Sequence, residues 1–479
     1  MNLEEKDDLK QTVSNLVDQQ LWETLGDWVR FKSLNSDKTY PDVEPCRKAI
    51  IGEFKNAKFN NVPVEARELT INGITPLVYA ECKSQQPNDP TVLLYAHYDV
   101  QPAKKEDGWD KDLEPFAPKD KPDGTDTRMY GRGAADDKSG IIMHLGTVKA
   151  LEKSNLRVNL KLLFEGEEEF HSTLEKYLDD LSKITPRPPE LDPFTADLIV
   201  IADTGNSARG VPTLTTTLRG YAAFDITVTT LESPVHSGMY GGPAPDAFMA
   251  LVRLLATLHD DKGDVAVAGL IRDDDYPYAP MDETQFRSNA GVLPGVPLIG
   301  TGSLAQRLCA RPAINVVGLD GVNSIGNAAN VLCPTATARI SVRLAPSQDL
   351  EKARKALEDH LTHLTNVDIR PWGIQVSVTP GSSGAGFRVH TTGEHFKTAF
   401  KALSEAYDLQ TTTLAGVGGS IPLVNALQKV NPSADIVMWG CEEPKCRIHG
   451  TNESVSKDEL KHMILAEAIL LQKITPHNT

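Results

Sequence analysis

The sequence predicts an α/β fold, a mixed and largely parallel sheet flanked by helices, interrupted by an inserted α+β domain. Three observations lead there. The 479 residues exceed what one compact core holds, so two or three domains are expected. From Thr91 onward, short β-rich apolar runs alternate with helical patterns, as strands and crossover helices do in an α/β sheet. Between residues 214 and 388 that texture gives way to alternating strands and amphipathic helices of antiparallel, α+β character, and afterwards it returns. The expected division is a first domain made of 1–213 and 389–479, with 214–388 inserted into it.

Taken in order, the chain opens as helix, loop and helix. "LVDQQLWETLGDWVRF" spaces its apolar residues helically, and "CRKAIIGEFKNA" does the same after a loop around Tyr40-Pro41. Four later runs share one layout. "TVLLYAHYDV" reaches His97 and Asp99, and "DLIVIADTGN" ends at Asp203. "VNLKLLFEGEEE" alternates Val158, Leu160, Leu162 and Phe164 on one face, then reaches Glu165, Glu167, Glu168 and Glu169. "DIVMWGCEEPKCRIHG" is followed after a loop by His449. Polar side chains just beyond the carboxyl ends of strands are where α/β folds build their sites. One strand must end in something polar; four that deliver His, Asp or Glu make a pattern. A fifth run, "YGRGAADDKSGIIMHLGTVKALEKS", is a Gly-rich turn opening a helix, with Asp136 and Asp137 in its first turn, where aspartates are also ordinary caps.

In the inserted region "RGYAAFDITVTT" and "ATARISVRLAP" alternate as strands. "HSGMYGGPAPDAFMALVRLLATLHDD" is a turn leading into a long helix, and "DLEKARKALEDHLTHL" is a second helix. "RDDDYPYAPMDETQFRSNAGVLPGVP" reads as a long polar loop. "GEHFKTAFKALSEAYDL" and "GVGGSIPLVNALQKV" return to the α/β texture.

Composition narrows the function. A formal charge of −16 argues against nucleic acid or an anionic membrane surface as partner, and suits cation binding. No apolar run approaches the roughly 18–20 residues of a bilayer span, and the acidic start "MNLEEKDDLKQTVSNL" lacks the features of a secretory signal. Six scattered cysteines read as reduced thiols, so a cytoplasmic location is expected. Cys441, Cys446 and His449 are close in sequence, but a structural zinc site would want a second Cys pair.

Crowded carboxylates share a proton, face water or hold a cation. His97, Asp136, Glu168 or Glu169, Asp203 and His449 make a mixed nitrogen and oxygen donor set, suited to zinc, manganese or cobalt rather than calcium. Such a set exceeds the three protein ligands of a single catalytic zinc and fits two ions about 3.5–4 Å apart. Of two adjacent glutamates, one can bind metal while the other takes a proton from water. Asp99, two residues after His97, can hold the other nitrogen of that ring.

"HYDVQPA", "GWDKDLEPFAP", "MYGRGAADDKSG", "EGEEE", "HSGMYGG", "GGSIP" and the late "HG" resemble, in order and over nearly the whole chain, the zinc dipeptidases of the carnosinase and cytosolic nonspecific dipeptidase type, within the aminoacylase and carboxypeptidase clan. The resemblance implies two divalent ions per subunit, zinc foremost with manganese or cobalt as alternatives. It implies that His97 and Asp203 serve opposite metals, that Asp136 bridges them, and that Glu169 and His449 complete the shells. Glu168 becomes the general base, with Asp99 supporting His97, and a cis peptide joins Asp136 to Asp137. The inserted domain becomes a lid and dimerisation domain. Its His236 reaches across a homodimer to stabilise the oxyanion. Asn330, Arg343 and Ser420 match positions that hold the substrate's carboxylate end and backbone, with His390 as a further substrate histidine. "FHS" after the glutamates is bulkier than the family's small residues.

The expected activity is hydrolysis of dipeptides bearing a free C-terminal carboxylate, through a metal-bridging water and a Glu base. Within the clan, an N-acyl amino acid deacylase or a carboxypeptidase is the alternative. A non-catalytic metal-binding scaffold is the reading from another class, and the presence of every matched side chain argues against it.

Overall fold

The computed structural model describes residues 3–35, 42–86, 88–170, 172–276, 278–362, 372, 374 and 376–474. The expected loop at Tyr40-Pro41 and His171 of "FHS" lie outside the described residues. The chain forms two compact units: residues 1–216, 389–415 and 423–479 in the first, and 217–388 with 416–422 in the second.

The first unit opens with helix from Leu3–Leu16, passes through a π-turn at Val17–Leu21 and continues over Trp22–Val29. The helix starts well before the expected segment, and its buried residues explain the π-turn. Leu9, Val13, Val17, Leu21, Leu25 and Val29 are all buried at intervals of four. Four residues overshoot an α-helical turn of about 3.6, so the apolar stripe would drift around the helix. One wider turn in the middle brings the stripe back to the same face.

The core of this unit is a sheet in the order Glu65–Leu69, Leu77–Cys82, Asn159–Glu165, Thr91–His97, Leu198–Ile201, Asp435–Met438 and Thr213–Leu218. The four strands from Asn159–Glu165 to Asp435–Met438 are mutually parallel, and antiparallel strands flank them. Their near-continuous apolar sequences follow from burial on both faces. Register aligns their carboxyl ends: His97 lies opposite Glu165, Tyr95 opposite Ile201, and Ile201 opposite Met438. Everything the sequence places just after those residues is delivered to one edge.

Helix Lys138–Ala150 packs on this sheet and against the C-terminal helix Lys457–Ile474. Gly146 permits that closeness, since a Cβ there would lie 2.6 Å from Ile464 Cδ1. Asp137 caps the helix by accepting a 3.2 Å hydrogen bond from the Gly140 N–H. Among the described residues no helix is long and apolar enough to cross a membrane.

The second unit is a four-stranded antiparallel sheet in the order Ala313–Asp320, Thr335–Leu344, Gly220–Thr229 and Val376–Gly384. Gly220–Thr229 alternates buried and half-buried residues almost without exception. Its inward residues Ala222, Phe224, Ile226 and Val228 share a core with Leu251 and Leu254 of helix Ala247–Ala256 and Leu357 of helix Leu350–Thr362. Helix Ala247–Ala256 has ten residues, shorter than its apolar sequence suggested. The expected polar loop contains helix Glu283–Ala290. It is capped by Asp282, which accepts a 2.6 Å bond from the Gln285 N–H, and closed by Gly291 at φ 64°. The "DETQ" spacing and the glycine are the signals that reveal it.

Phe224 is 1% exposed at the centre of the second core. Phe224→Ala should lower stability by about 3–5 kcal/mol, read from urea unfolding; a loss below about 1 kcal/mol would contradict this packing.

Candidate metal centre

The aligned strand ends bring the predicted donors of the first unit together. His97 is the last residue of its strand and fully buried. Its Nε2 lies 2.9 Å from Asp136 Oδ1 and 3.8 Å from Asp203 Oδ1. The exposed His449, in a loop at φ 60°, puts its Nε2 2.9 Å from Asp136 Oδ2 and 3.1 Å from Glu169 Oε2. The two oxygens of Asp136 therefore face different imidazoles. The close contacts put His97 and Asp203 on the same side of Asp136, not on opposite sides as the resemblance suggested, with His449 and Glu169 on the other. The peptide bond between Asp136 and Asp137 is cis.

Three groups could each hold an ion, with donor atoms within 4.8 Å of one another: His97, Asp136 and Glu169; His97, Glu168 and Asp203; Asp136, Asp203 and Glu442. The chemistry of this set fits a divalent metal: imidazole nitrogens and carboxylate oxygens converge, and no cysteine takes part among these groups. Cys446 instead lies beside the buried Arg128–Glu443 pair.

Asp99 is fully buried and does more than support one ring. His97 Nδ1 lies 3.1 Å from the Asp99 carbonyl and 3.4 Å from its carboxylate, whose two oxygens accept from the Glu168 N–H at 3.1 Å and the Glu169 N–H at 3.0 Å. One aspartate thus orients the imidazole and the turn of both glutamates. Gln101 Nε2 donates to Glu169 Oε2 at 2.8 Å, while among the described residues Glu168 is engaged only through its backbone N–H. The neighbouring acids are structural in their contacts. Glu165 accepts from the Tyr95 hydroxyl at 2.8 Å and from Ser172. Glu167, which could have faced solvent, is buried and accepts from Thr75 and Thr173.

Sequence reading missed a second tier. Glu453 is fully buried; its Oε1 accepts from the Ala135 and Asp136 N–H groups at 3.0 and 3.2 Å, and its Oε2 pairs with Arg132 at 2.5 Å. Arg132 also donates to the carbonyl of His449 at 3.0 Å. The pair ties the Asp136 turn to the His449 loop. Glu442 was missed as well, although it lies in the quoted "GCEEP". Nothing local in sequence distinguishes these acids from surface charges.

In the metal-free protein these groups titrate abnormally. Burial pushes Asp203 up to about 6, partly offset by its bond to His97. Burial, with the charges of Asp203 and Glu169, raises Glu168 well above the usual carboxylate range. Burial favours neutral imidazoles, yet Asp136 and Glu169 carry His449 to about 10, and Asp136, Asp203 and Asp99 raise His97. Burial would also raise Asp136, but His449 and His97 together hold it below the usual range.

In the second unit the predicted substrate residues form two groups. His236 pairs with Val331 across a short ladder, and the Ser237 N–H donates to the Asn330 carbonyl at 2.9 Å, so His236 and Asn330 are neighbours. His236 Nδ1 accepts from the Gly238 N–H at 3.1 Å, which leaves the proton of the neutral ring on Nε2. Arg343 Nη1 lies 3.3 Å from Ser420 Oγ, and Ser420 bonds the Arg219 carbonyl. His390 is exposed in the first unit and is not among the donor groups described above.

A family description, peptidase family M20/M25/M40, matches residues 93–473. The chain belongs to this family and is a metal-dependent peptide hydrolase. It is 40% identical over 385 residues to a cysteinylglycine-S-conjugate dipeptidase of Corynebacterium striatum, covering 80% of each chain. It is 29% identical over 412 residues to a Cys-Gly metallodipeptidase of Schizosaccharomyces pombe, covering 82% of this chain and 83% of that one. Its fold matches human carnosine dipeptidase 1 with a TM-score of 0.77 at 22% identity, over 98% of both chains.

Metal ligands must be deprotonated, so protons compete with the ions here. With His449 at about 10 and Asp203 at about 6, metal affinity should rise with pH across 6–9, by up to about tenfold per unit for each proton released. Zinc titrations at several pH values, with proton uptake by the buffer measured in parallel, check this. A pH-independent affinity would contradict it.

Proposed function

We propose that the chain is a two-metal dipeptidase that hydrolyses dipeptides with a free C-terminal carboxylate. The observation that carries this reading is Asp136, whose two oxygens each lie 2.9 Å from a different imidazole. A carboxylate so placed suits two cations at once. His97 and Asp203 would hold one ion, His449 and Glu169 the other, with zinc the first choice and manganese or cobalt as alternatives. When bound, the ions lower the pKa of a water towards about 7 and polarise the scissile carbonyl.

The chain's own residues do the rest. Glu168, spared from the bonds that fix Glu169, takes the water's proton on its carboxylate and returns it to the leaving amine. Its raised pKa, caused by burial and by Asp203 and Glu169, suits a group that must both accept and release a proton. Asp99 holds the His97 ring and the glutamate turn in place. His236 donates from Nε2 to the developing oxyanion. The Arg343 guanidinium, beside Ser420, receives the substrate carboxylate, with Asn330 and His390 as further contacts. Relatives named as dipeptidases support the size of the substrate.

The same proposal includes a homodimer in which His236 of one chain completes the site of the other. The second unit exposes Met239, Tyr240, Met249 and Val252, and its edge strand Ala313–Asp320 exposes Val316, Val317 and Leu319. Exposed apolar groups and an unpaired strand edge support self-association. All six cysteines are free, which supports a reducing, cytoplasmic setting.

Glu168→Gln should lower kcat on a small dipeptide by about 10²–10⁴-fold with bound metal nearly unchanged. Near-normal turnover would remove Glu168 as the base. Hydrolysis of acylated amino acids without dipeptide turnover would overturn the substrate class.

The trans role of His236 has its own test. Glu168→Gln and His236→Ala chains, each inactive alone, should regain up to about a quarter of wild-type activity when co-refolded, because each mixed dimer holds one intact site. No recovery in dimers verified by sedimentation, or an active monomer, would contradict it.

A further inference from the structure

Glu442 has no place in the ligand set above, yet its surroundings are those of a ligand. It is 8% exposed, and its Oε1 is buried without a hydrogen-bond partner, the only carboxylate oxygen in that state among the described residues. Other buried glutamates nearby are satisfied: Glu443 by Arg128, Glu453 by Arg132, Glu467 by His144. An isolated buried carboxylate is costly, and a protein holds one only where something else compensates it. One of its carboxylate oxygens lies within 4.8 Å of an oxygen each of Asp136 and Asp203.

The backbone fixes that position. Beyond their strands, the segments after Ile201 and Met438 stay in contact through a bridge between Gly205 and Glu442 and a 2.8 Å bond from the Asn206 N–H to the Glu442 carbonyl. The approach is possible only without side chains at two points. A Cβ on Gly205 would lie 2.1 Å from the Glu442 carbonyl oxygen, and one on Gly440 would lie 2.1 Å from that of Ala202. Glu442 is thereby held beside Asp203 by main chain, and its Oε1 has no partner among the described residues.

We infer that Glu442 is a further metal ligand, on the Asp203 side of Asp136, in a site for a divalent cation built from His97, Asp136, Asp203 and Glu442. The inference rests on the two-metal reading proposed above. Charge supports it: Asp136, Glu169 and Asp203 bring three negative charges to two dications, and Glu442 brings the fourth. The consequence is an asymmetric pair. The Asp203 side has one nitrogen and three carboxylates from the protein, a fuller and harder shell than the three-ligand side of His449 and Glu169. The first ion should therefore enter on the Asp203 side.

The test uses the full chain, stripped of metal and titrated with Co²⁺ alone, as wild type and as Glu442→Gln and Glu442→Ala. Wild type should bind two ions in sequence. In both variants the tighter step should weaken by at least about tenfold, the weaker step should hold, and the visible absorption of the first ion should intensify as it loses a ligand. Melting of the metal-free variants should equal or exceed that of wild type, since an uncompensated carboxylate is removed. Two wild-type affinities with an unchanged spectrum in both variants would overturn the ligand role while leaving the two-metal reading intact. Loss of the metal-free fold in both variants would make Glu442 a structural carboxyl and overturn it too. A wild type that binds fewer than two ions would overturn the underlying reading, and this inference with it.

Discussion

The organising constraint is the gathering of Asp136, Glu168, Glu169, Asp203 and Glu442 into overlapping donor groups with two imidazoles, His97 and His449, to offset them. Burying one uncompensated carboxylate is costly; gathering several makes the cost cumulative. The alignment of parallel strand ends brings most of them there, and the Asp99, Gln101, Arg132 and Glu453 bonds prevent them from relaxing apart. A fold that invests so much hydrogen bonding in holding like charges together is arranged around cations.

The supporting bonds divide into two kinds. Asp99 acts outward from the strand end, fixing the His97 ring and the N–H groups of the glutamate turn. The Arg132–Glu453 pair acts across the chain, joining the Asp136 turn to the loop that carries His449, more than three hundred residues later. The first kind protects orientation, and the second protects separation. Together they explain how an exposed loop can present His449 at 2.9 Å from a buried carboxylate.

Much of this was legible in sequence because strand ends are. An apolar run followed by His, Asp or Glu states both where the strand stops and what it delivers, and His97, Glu168, Glu169 and Asp203 were found that way. Asp136 was legible from its Gly-rich turn, although Asp137 beside it proved to be the helix cap. What remained hidden depends on tertiary approach. Glu442 gains its position from a contact between Gly205 and Glu442, segments 237 residues apart, and Glu453 is indistinguishable in sequence from a surface acid. Glu167 has no role assigned by the sequence because its partners, Thr75 and Thr173, carry no pattern. Helix Glu283–Ala290 was concealed by its polarity, and its cap and terminal glycine were the readable traces.

The two-metal proposal depends most directly on Asp136 serving both ions, and metal stoichiometry tests it. Metal-free chain equilibrated with Mn²⁺ or Zn²⁺ and freed of excess ion should retain two ions per chain, and Asp136→Ala should retain fewer than two. A wild-type stoichiometry of one, or two ions still bound after Asp136→Ala, would contradict the account.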